Sequence, residues 1–270
     1  MGVKKIAIAG IGLIGGSFLK ASVRAGYETV AMHHGDAAGA EDADLVLVCL
    51  PPDAIAPWIK AHSHSFKKGA VVVDICGVKR SIMGQMEGFG PRCWKFAGGH
   101  PMAGREVSGY ENSSAALFEG ASMIVVPSAE ITEEDLDRLR RYFASVGFAS
   151  TVVSSAEHHD EMIAFTSQLC HIIATSYVRD RRVQDAYGFS AGSYANMTRI
   201  ATQDAEMWSS LYNENKDKLL PVIDGFVERI GQLRNAIAGG EIENVRRLIT
   251  EGANAKREEL LARKRGDENV

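Results

Sequence analysis

Lys5-Ile6-Ala7-Ile8-Ala9-Gly10-Ile11-Gly12-Leu13-Ile14-Gly15 is the stretch on which the fold turns. An apolar run of strand length passes directly into three glycines spaced G-x-G-x-x-G, and residues 17–25 that follow are amphipathic and stop at Gly26. In that setting the first glycine makes a tight turn, the second lets the backbone approach a pyrophosphate, and the third lets a helix pack closely on the strand. The helix N-terminus then offers unpaired N–H groups to the anion. The stretch reads as a Rossmann-type dinucleotide fingerprint, with Gly10, Gly12, Leu13, Ile14 and Gly15 lying against the cofactor.

Apolar runs recur at residues 6–9, 45–50, 71–73 and 123–126, separated by helix-like segments. That is the rhythm of parallel strands joined by crossovers, and it makes the first half α/β. Leu50 and Pro51, at the end of the second of these runs, are expected on the cofactor side. A last short strand within residues 147–153 is followed by Ser154-Ser155-Ala156-Glu157, where a serine caps a new helix. Beyond it the apolar period becomes 3.6: Met162, Phe165, Leu169, Ile172 and Ile173 form one face, and Leu219, Val222, Ile223, Phe226 and Ile230 another. Two domains are predicted, an α/β nucleotide-binding domain over residues 1–153 and an all-α domain over 154–270. The highly charged tail from Lys256 is expected to fray.

The nucleotide signature is incomplete. Where an acidic residue ordinarily holds the ribose 2′-hydroxyl, the second strand ends in His33-His34-Gly35. Asp36 is a substitute for that acid, whereas a protonated His33 or His34 favours a 2′-phosphate, so the sequence leaves NAD and NADP both open. About ten residues separate this strand from the next, too few for the usual helix and further strand, so the adenosine side is expected to be trimmed.

Composition narrows the function classes. The 270 residues are 46% hydrophobic and 24% charged, a globular balance, and a net charge of -4 with interspersed signs gives no basic face for nucleic acid. Cys49, Cys76, Cys93 and Cys170 form no C-x-x-C pair, and neither His33-His34 nor His62-x-His64 has partner ligands at metal spacing. Reduced thiols, no metal, no membrane span and a cytoplasmic location are the expectations.

A second segment carries chemistry. Phe96-Ala97-Gly98-Gly99-His100-Pro101-Met102-Ala103-Gly104 sets one histidine between glycines and a proline at the end of an apolar strand, a position suited to proton transfer. Together with Gly12-Leu13-Ile14-Gly15-Gly16-Ser17 and Leu117-Phe118-Glu119-Gly120, it resembles the prephenate and arogenate dehydrogenases of tyrosine biosynthesis. In the helical half, His159-Asp160-Glu161, Ser167-Gln168-Leu169-Cys170-His171, Thr198-Arg199-Ile200-Ala201 and Met207-Trp208 resemble further segments of that family.

The resemblance implies an oxidative decarboxylation with NAD(P)⁺ as hydride acceptor, a prephenate or arogenate substrate and a homodimer formed by the helical half. It implies that His100 accepts the hydroxyl proton, that Arg199 pairs with a substrate carboxylate, that His171 bonds the substrate's side chain and that Trp208 walls the pocket. Gly77 stands at a substrate-side position where the family carries a serine before Val-Lys, and Gln168 stands where it carries a histidine. Ala195 and Asn196 replace a charged pair before Arg199. Arogenate would favour an acid beside its ammonium, and the sequence singles out none. On this reading the 270 residues leave no room for an attached mutase or regulatory domain.

On one straight helix His159 and His171 would stand about 18 Å and about 120° apart. That puts His171 in the pocket and leaves His159 as the weaker candidate, with His158 in solvent. Two other readings stay open: a dehydrogenase of the β-hydroxyacid type, and a nucleotide-binding protein that has lost turnover.

Overall fold

The structure, a computed structural model, describes residues 2–32 and 38–267. His33, His34 and Asp36, on which the choice of cofactor was expected to rest, lie outside the described residues. The chain separates into two compact units divided between Lys216 and Asp217.

The first unit is built on a seven-stranded sheet. In chain order it runs β1 (Lys5–Ala9), α1 (Leu13–Arg24), β2 (Glu28–Met32), β3 (Leu45–Val48), α2 (Pro52–His62), β4 (Val71–Asp74), α3 (Arg80–Glu87), β5 (Lys95–Pro101), β6 (Ser122–Pro127), α4 (Glu133–Ser145) and β7 (Ser150–Val153). The spatial order is β2-β1-β3-β4-β5-β6-β7, so among the described residues the sheet ends at β2, in keeping with the short connection to β3. All neighbours are parallel except β5 and β6, so the expected run of parallel strands is broken by one antiparallel pair. Only twenty residues lie between these two strands, and they hold no α-helix that could cross over a face of the sheet and return the chain parallel.

Both sheet faces are buried. β1, β3 and β4 read as apolar runs, interrupted only by Lys5 at the start of β1 and Asp74 at the end of β4, because helices cover them on each side. Trp58, Phe66, Trp94 and Phe96 fill one face, and Phe18, Phe118, Tyr142, Phe143 and Phe148 the other. The chain passes from β1 to β2 on one side and reaches β3 on the other, so a crevice opens at the strand C-termini between β1 and β3. That is where ligands bind in open α/β sheets. The glycine loop, Leu50 and Pro51 all follow strands bordering that crevice.

The helical part of this unit begins at α5 (Ala156–Ile163), capped by Ser155, whose Oγ accepts the His158 N–H at 3.2 Å. A π turn over Ala164–Gln168 follows, then α6 (Leu169–Val178), α7 (Gly192–Thr198) and α8 (Ala205–Glu214). The buried face is His159, Asp160, Ile163, Ala164, Gln168 and Leu169, while Met162 and Phe165 are exposed. The expected apolar stripe through Met162 and Phe165 is thus overturned, because a 3.6-residue period does not survive a turn containing an extra residue.

The second unit holds α9 (Lys216–Ala238) from Asp217 onward and α10 (Ile242–Asp267). Leu219 is buried and Val222, Ile223 and Phe226 are half-buried, while Ile230 is exposed. The tail expected to fray from Lys256 is helical through Asp267, with Glu259 paired to both Lys256 and Arg263 at helical spacing. No helix among the described residues is long and apolar enough to cross a membrane.

Candidate active site

The glycine loop fits a dinucleotide on stereochemical grounds. Gly10 has φ of 87°, and a side chain there would collide with the Cys49 carbonyl and with Leu50. A side chain at Gly15 would strike the Gly10 carbonyl, so loop and helix touch backbone to backbone. Gly12 differs: a Cβ there meets nothing within 4 Å, which leaves the main chain open to a ligand. Gly12 also begins α1, whose first turn has no side-chain cap and no acid. Unpaired N–H groups with no competing carboxylate suit a pyrophosphate. Leu13 and Ile14 open the same helix and are half-buried.

His100 lies next to the end of β5, near the C-terminal edge of the sheet. Its Nδ1 is 2.9 Å from Nε2 of His159 on α5, and His159 Nδ1 is 2.7 Å from Asp160 Oδ1. The ionised carboxylate only accepts, so His159 Nδ1 carries the proton and Nε2 is its lone pair. His100 Nδ1 must then be the donor, which leaves His100 Nε2 as the basic nitrogen. That nitrogen lies beside Gly77: a Cβ on Gly77 would stand 3.9 Å from it and 3.6 Å from Leu211.

Asp160 is fixed from behind. Its Oδ1 also accepts the Lys79 backbone N–H at 2.7 Å, and Oδ2 accepts the Arg80 N–H at 2.9 Å. The carboxylate therefore caps α3 from a distant part of the chain. Burial pushes the Asp160 carboxyl up, but the bonds from His159, Arg80 and Lys79 outweigh it and hold the group below the usual carboxylate range. Burial, aided by His159 and Lys79, holds His100 well below the ordinary imidazole value, and burial lowers His159 despite Asp160. Both rings are neutral at pH 7. Beneath them, Lys79 and Asp74 form an ion pair with no solvent exposure on either side chain.

A second cluster gathers His171, Trp208, Arg199 and Glu106. The His171 and Trp208 rings stack at 3.7 Å between centroids, and His171 Nδ1 donates to the Ser167 carbonyl at 3.0 Å. Arg199 pairs with Glu106, not with the neighbouring Asp204 or Glu206, and its side chain is 62% exposed. Trp208 is one turn before Leu211 on α8, so this helix joins the cluster to the wall facing Gly77 and His100.

The structure brings His159, the weaker candidate in sequence, against His100, together with Asp160, which the sequence names only within His159-Asp160-Glu161; it also places Lys79 beside Asp160 and Glu106 beside Arg199. His159 stands about 120° from His171 only on one straight helix. One residue inserted by the π turn removes about 100° of rotation, so about 20° rather than about 120° separates it from His171. A usable signal was present: His159 and Ile163 are four apart on one face, and both are buried. His158 is exposed, as expected. Among the described residues no group of three or more His, Cys, Asp or Glu side chains is placed to hold a metal ion.

Comparison with known proteins bears on the whole chain. Residues 15–152 match the family described as prephenate dehydrogenase, nucleotide-binding domain, and residues 155–251 match prephenate dehydrogenase, dimerization domain. The cyclohexadienyl dehydrogenase of Zymomonas mobilis subsp. mobilis is 32% identical over 263 residues, covering 87% of this chain and 89% of the relative. The prephenate dehydrogenase of Bacillus subtilis is 26% identical over 271 residues, covering 90% of this chain and 73% of the relative. The crystal structure of A. aeolicus prephenate dehydrogenase with hydroxyphenyl propionate and NAD+ superposes with a TM-score of 0.82 at 27% identity, covering 96% of this chain and 99% of that one. With both of its parts matched and a relative this similar along its length, the chain belongs to the prephenate dehydrogenase family.

Proposed function

We propose that this chain catalyses the oxidative decarboxylation of prephenate to 4-hydroxyphenylpyruvate with NAD⁺ or NADP⁺, and that His100 is the proton acceptor. The observation that carries the reading is the line His100, His159, Asp160, which leaves His100 Nε2 as a lone pair beside Gly77. When bound, the nicotinamide ring accepts a hydride from the ring carbon that bears the substrate hydroxyl.

His100 Nε2 takes the hydroxyl proton as that hydride leaves, so the C–O bond becomes a carbonyl. The bond to the ring carboxylate then breaks, carbon dioxide departs, and its electron pair aromatises the ring. The phenolate oxygen recovers the proton from His100, and the balance closes with one hydride transferred and no net proton. His159 and Asp160 stabilise the imidazolium in between, and proton transfer of this kind contributes about 10²- to 10⁴-fold. Arg199 holds a substrate carboxylate, a task for which a planar guanidinium is suited. His171 bonds the side chain and Trp208 closes the wall. We assign Gly10, Gly12, Leu13, Ile14, Gly15, His33, Leu50 and Pro51 to the cofactor, Gly77 to the substrate side, and the helical half after residue 153 to substrate binding and homodimerisation.

Glu106 favours a second substrate. Its carboxylate faces Arg199 and acts electrostatically on His171, so an ammonium in place of the keto group would find an acid there. Arogenate therefore stands beside prephenate. Purified protein given each substrate with each cofactor, followed at the reduced-nicotinamide absorbance band, decides among them. Turnover of neither substrate contradicts the proposal.

A further inference from the structure

The π turn brings a carboxamide into the core. Gln168 is 1% exposed; its Nε2 donates to the Leu211 carbonyl at 3.1 Å, and its Oε1 accepts from Asn215 Nδ2 at 2.8 Å. Asn215, fully buried where α8 ends, donates from the same Nδ2 to the Asp160 carbonyl at 2.9 Å, and its Oδ1 accepts from Arg80 at 3.5 Å. Each of the four carboxamide heteroatoms has a partner. Two backbone carbonyls, of Leu211 and Asp160, fix which end of each amide is nitrogen.

The partners of this pair belong to two parts of the candidate site. Leu211 is the side chain that a Cβ on Gly77 would touch at 3.6 Å, while His100 Nε2 would be 3.9 Å from the same atom. Asp160 is the residue that orients His159 and, through it, His100. Gln168 and Asn215 thus tie the wall facing the reacting nitrogen to the group that holds that nitrogen in place. Burying two amides has a desolvation cost that an apolar filler of the same size would avoid, so what the network supplies is geometry.

We propose that Gln168 and Asn215 are positioning residues for the reaction: a buried carboxamide pair that sets the spacing between α8 and the His100–His159–Asp160 line. Both carboxamides are buried, and the hydrogen-bond partners described above are protein groups. Neither amide ionises in the working range of pH, so the spacing does not change as the imidazoles titrate. The inference rests on the reading of His100 as proton acceptor.

Gln168→Met, of similar size without the hydrogen bonds, and Gln168→Asn, the same chemistry one methylene short, test it. For the full chain, kcat, the substrate KM, and the affinity and stoichiometry of NAD⁺ or NADP⁺ binding are measured. The expected result is cofactor binding at one per chain with wild-type affinity, KM within about threefold, and kcat lower by about tenfold to a hundredfold. Misplaced walls slow the step without emptying the site, whereas a merely structural role would lower the fraction of chains that bind cofactor. Wild-type kcat in variants that bind cofactor fully overturns the inference, as does a kcat loss no larger than the loss of binding-competent chains. If Gln168→Met does not fold, Gln168→Asn decides alone. Wild-type protein that turns over neither substrate defeats the assignment of function, whereas an active wild type with indifferent variants defeats this inference only.

Discussion

His159 Nε2 stands 2.9 Å from His100 Nδ1, and Asp160 on its other side makes His100 the donor in that contact. Two residues distant in sequence thereby assign the tautomer of a third. The basic nitrogen of His100 is the one beside Gly77, and burial keeps it unprotonated in neutral solution.

The acid side of the pH profile follows from this. Imidazolium cannot accept the hydroxyl proton, so kcat/KM falls as pH drops through the His100 pKa, and that pKa lies below 6.5. The limb should appear below pH 6.5, with a plateau through neutrality. Stability obeys the same sign: His100 and His159 are both depressed when folded, so the unfolded chain binds more protons. Their contribution is present above pH about 6.5 and lost as pH falls from there toward the folded values. Urea midpoints that rise on acidification from pH 7 to 5.5 would contradict the assignment.

The glycine loop separates binding from folding. Gly12→Ala meets open space, so the free protein should melt within about 1 °C of wild type while cofactor Kd rises about tenfold or more, because the methyl occupies the approach to the pyrophosphate. Gly15→Ala strikes the Gly10 carbonyl and should lower both Tm and affinity. Calorimetry with and without cofactor distinguishes the two, and a Gly12→Ala variant with wild-type Kd would move the cofactor off this loop.

Arg199→Gln removes a charged hydrogen bond worth about 1.5–3 kcal/mol, which corresponds to a rise in substrate KM of about tenfold to 150-fold. The side chain is largely exposed and pairs only at the surface with Glu106, so Tm should hardly change. Steady-state kinetics checks this, and an unchanged KM returns Arg199 to an ordinary surface role.

Lys79→Met leaves the Asp74 carboxylate buried without its cation. Both side chains are fully buried, so the loss should be about 3–5 kcal/mol, seen as a large drop in the urea midpoint. Replacing both, as Asp74→Asn with Lys79→Met, should recover much of that. Equal losses in the single and double variants would show that the pair does not act as a unit.

Much of the α/β half was legible because its signals are local. Residues 5–15 carry strand, turn and helix start in one stretch, and β3 and β4 are apolar runs that only a sheet covered on both faces explains. The edge position of β2 followed from a connection too short for another crossover. The antiparallel pairing of β6 was not legible, since direction depends on what the chain does between strands rather than on the strand itself. The position of His159 against His100 was not legible for a related reason: a π turn shifts helical phase without leaving a compositional mark, and Gln168, which the shift turns inward, looks in sequence like a surface residue. Glu106 stands ninety-three residues before Arg199, beyond any spacing rule.

Proton transfer from the substrate hydroxyl rests on His100. The most direct test is the turnover of His100→Asn, which keeps a hydrogen-bonding side chain of similar size but has no basic nitrogen. It is measured as reduced nicotinamide formed from saturating prephenate beside wild type, once cofactor titration shows equal binding. The expected kcat is lower by about 10²- to 10⁴-fold; a variant that keeps nearly the full wild-type rate shows that His100 is not the proton acceptor.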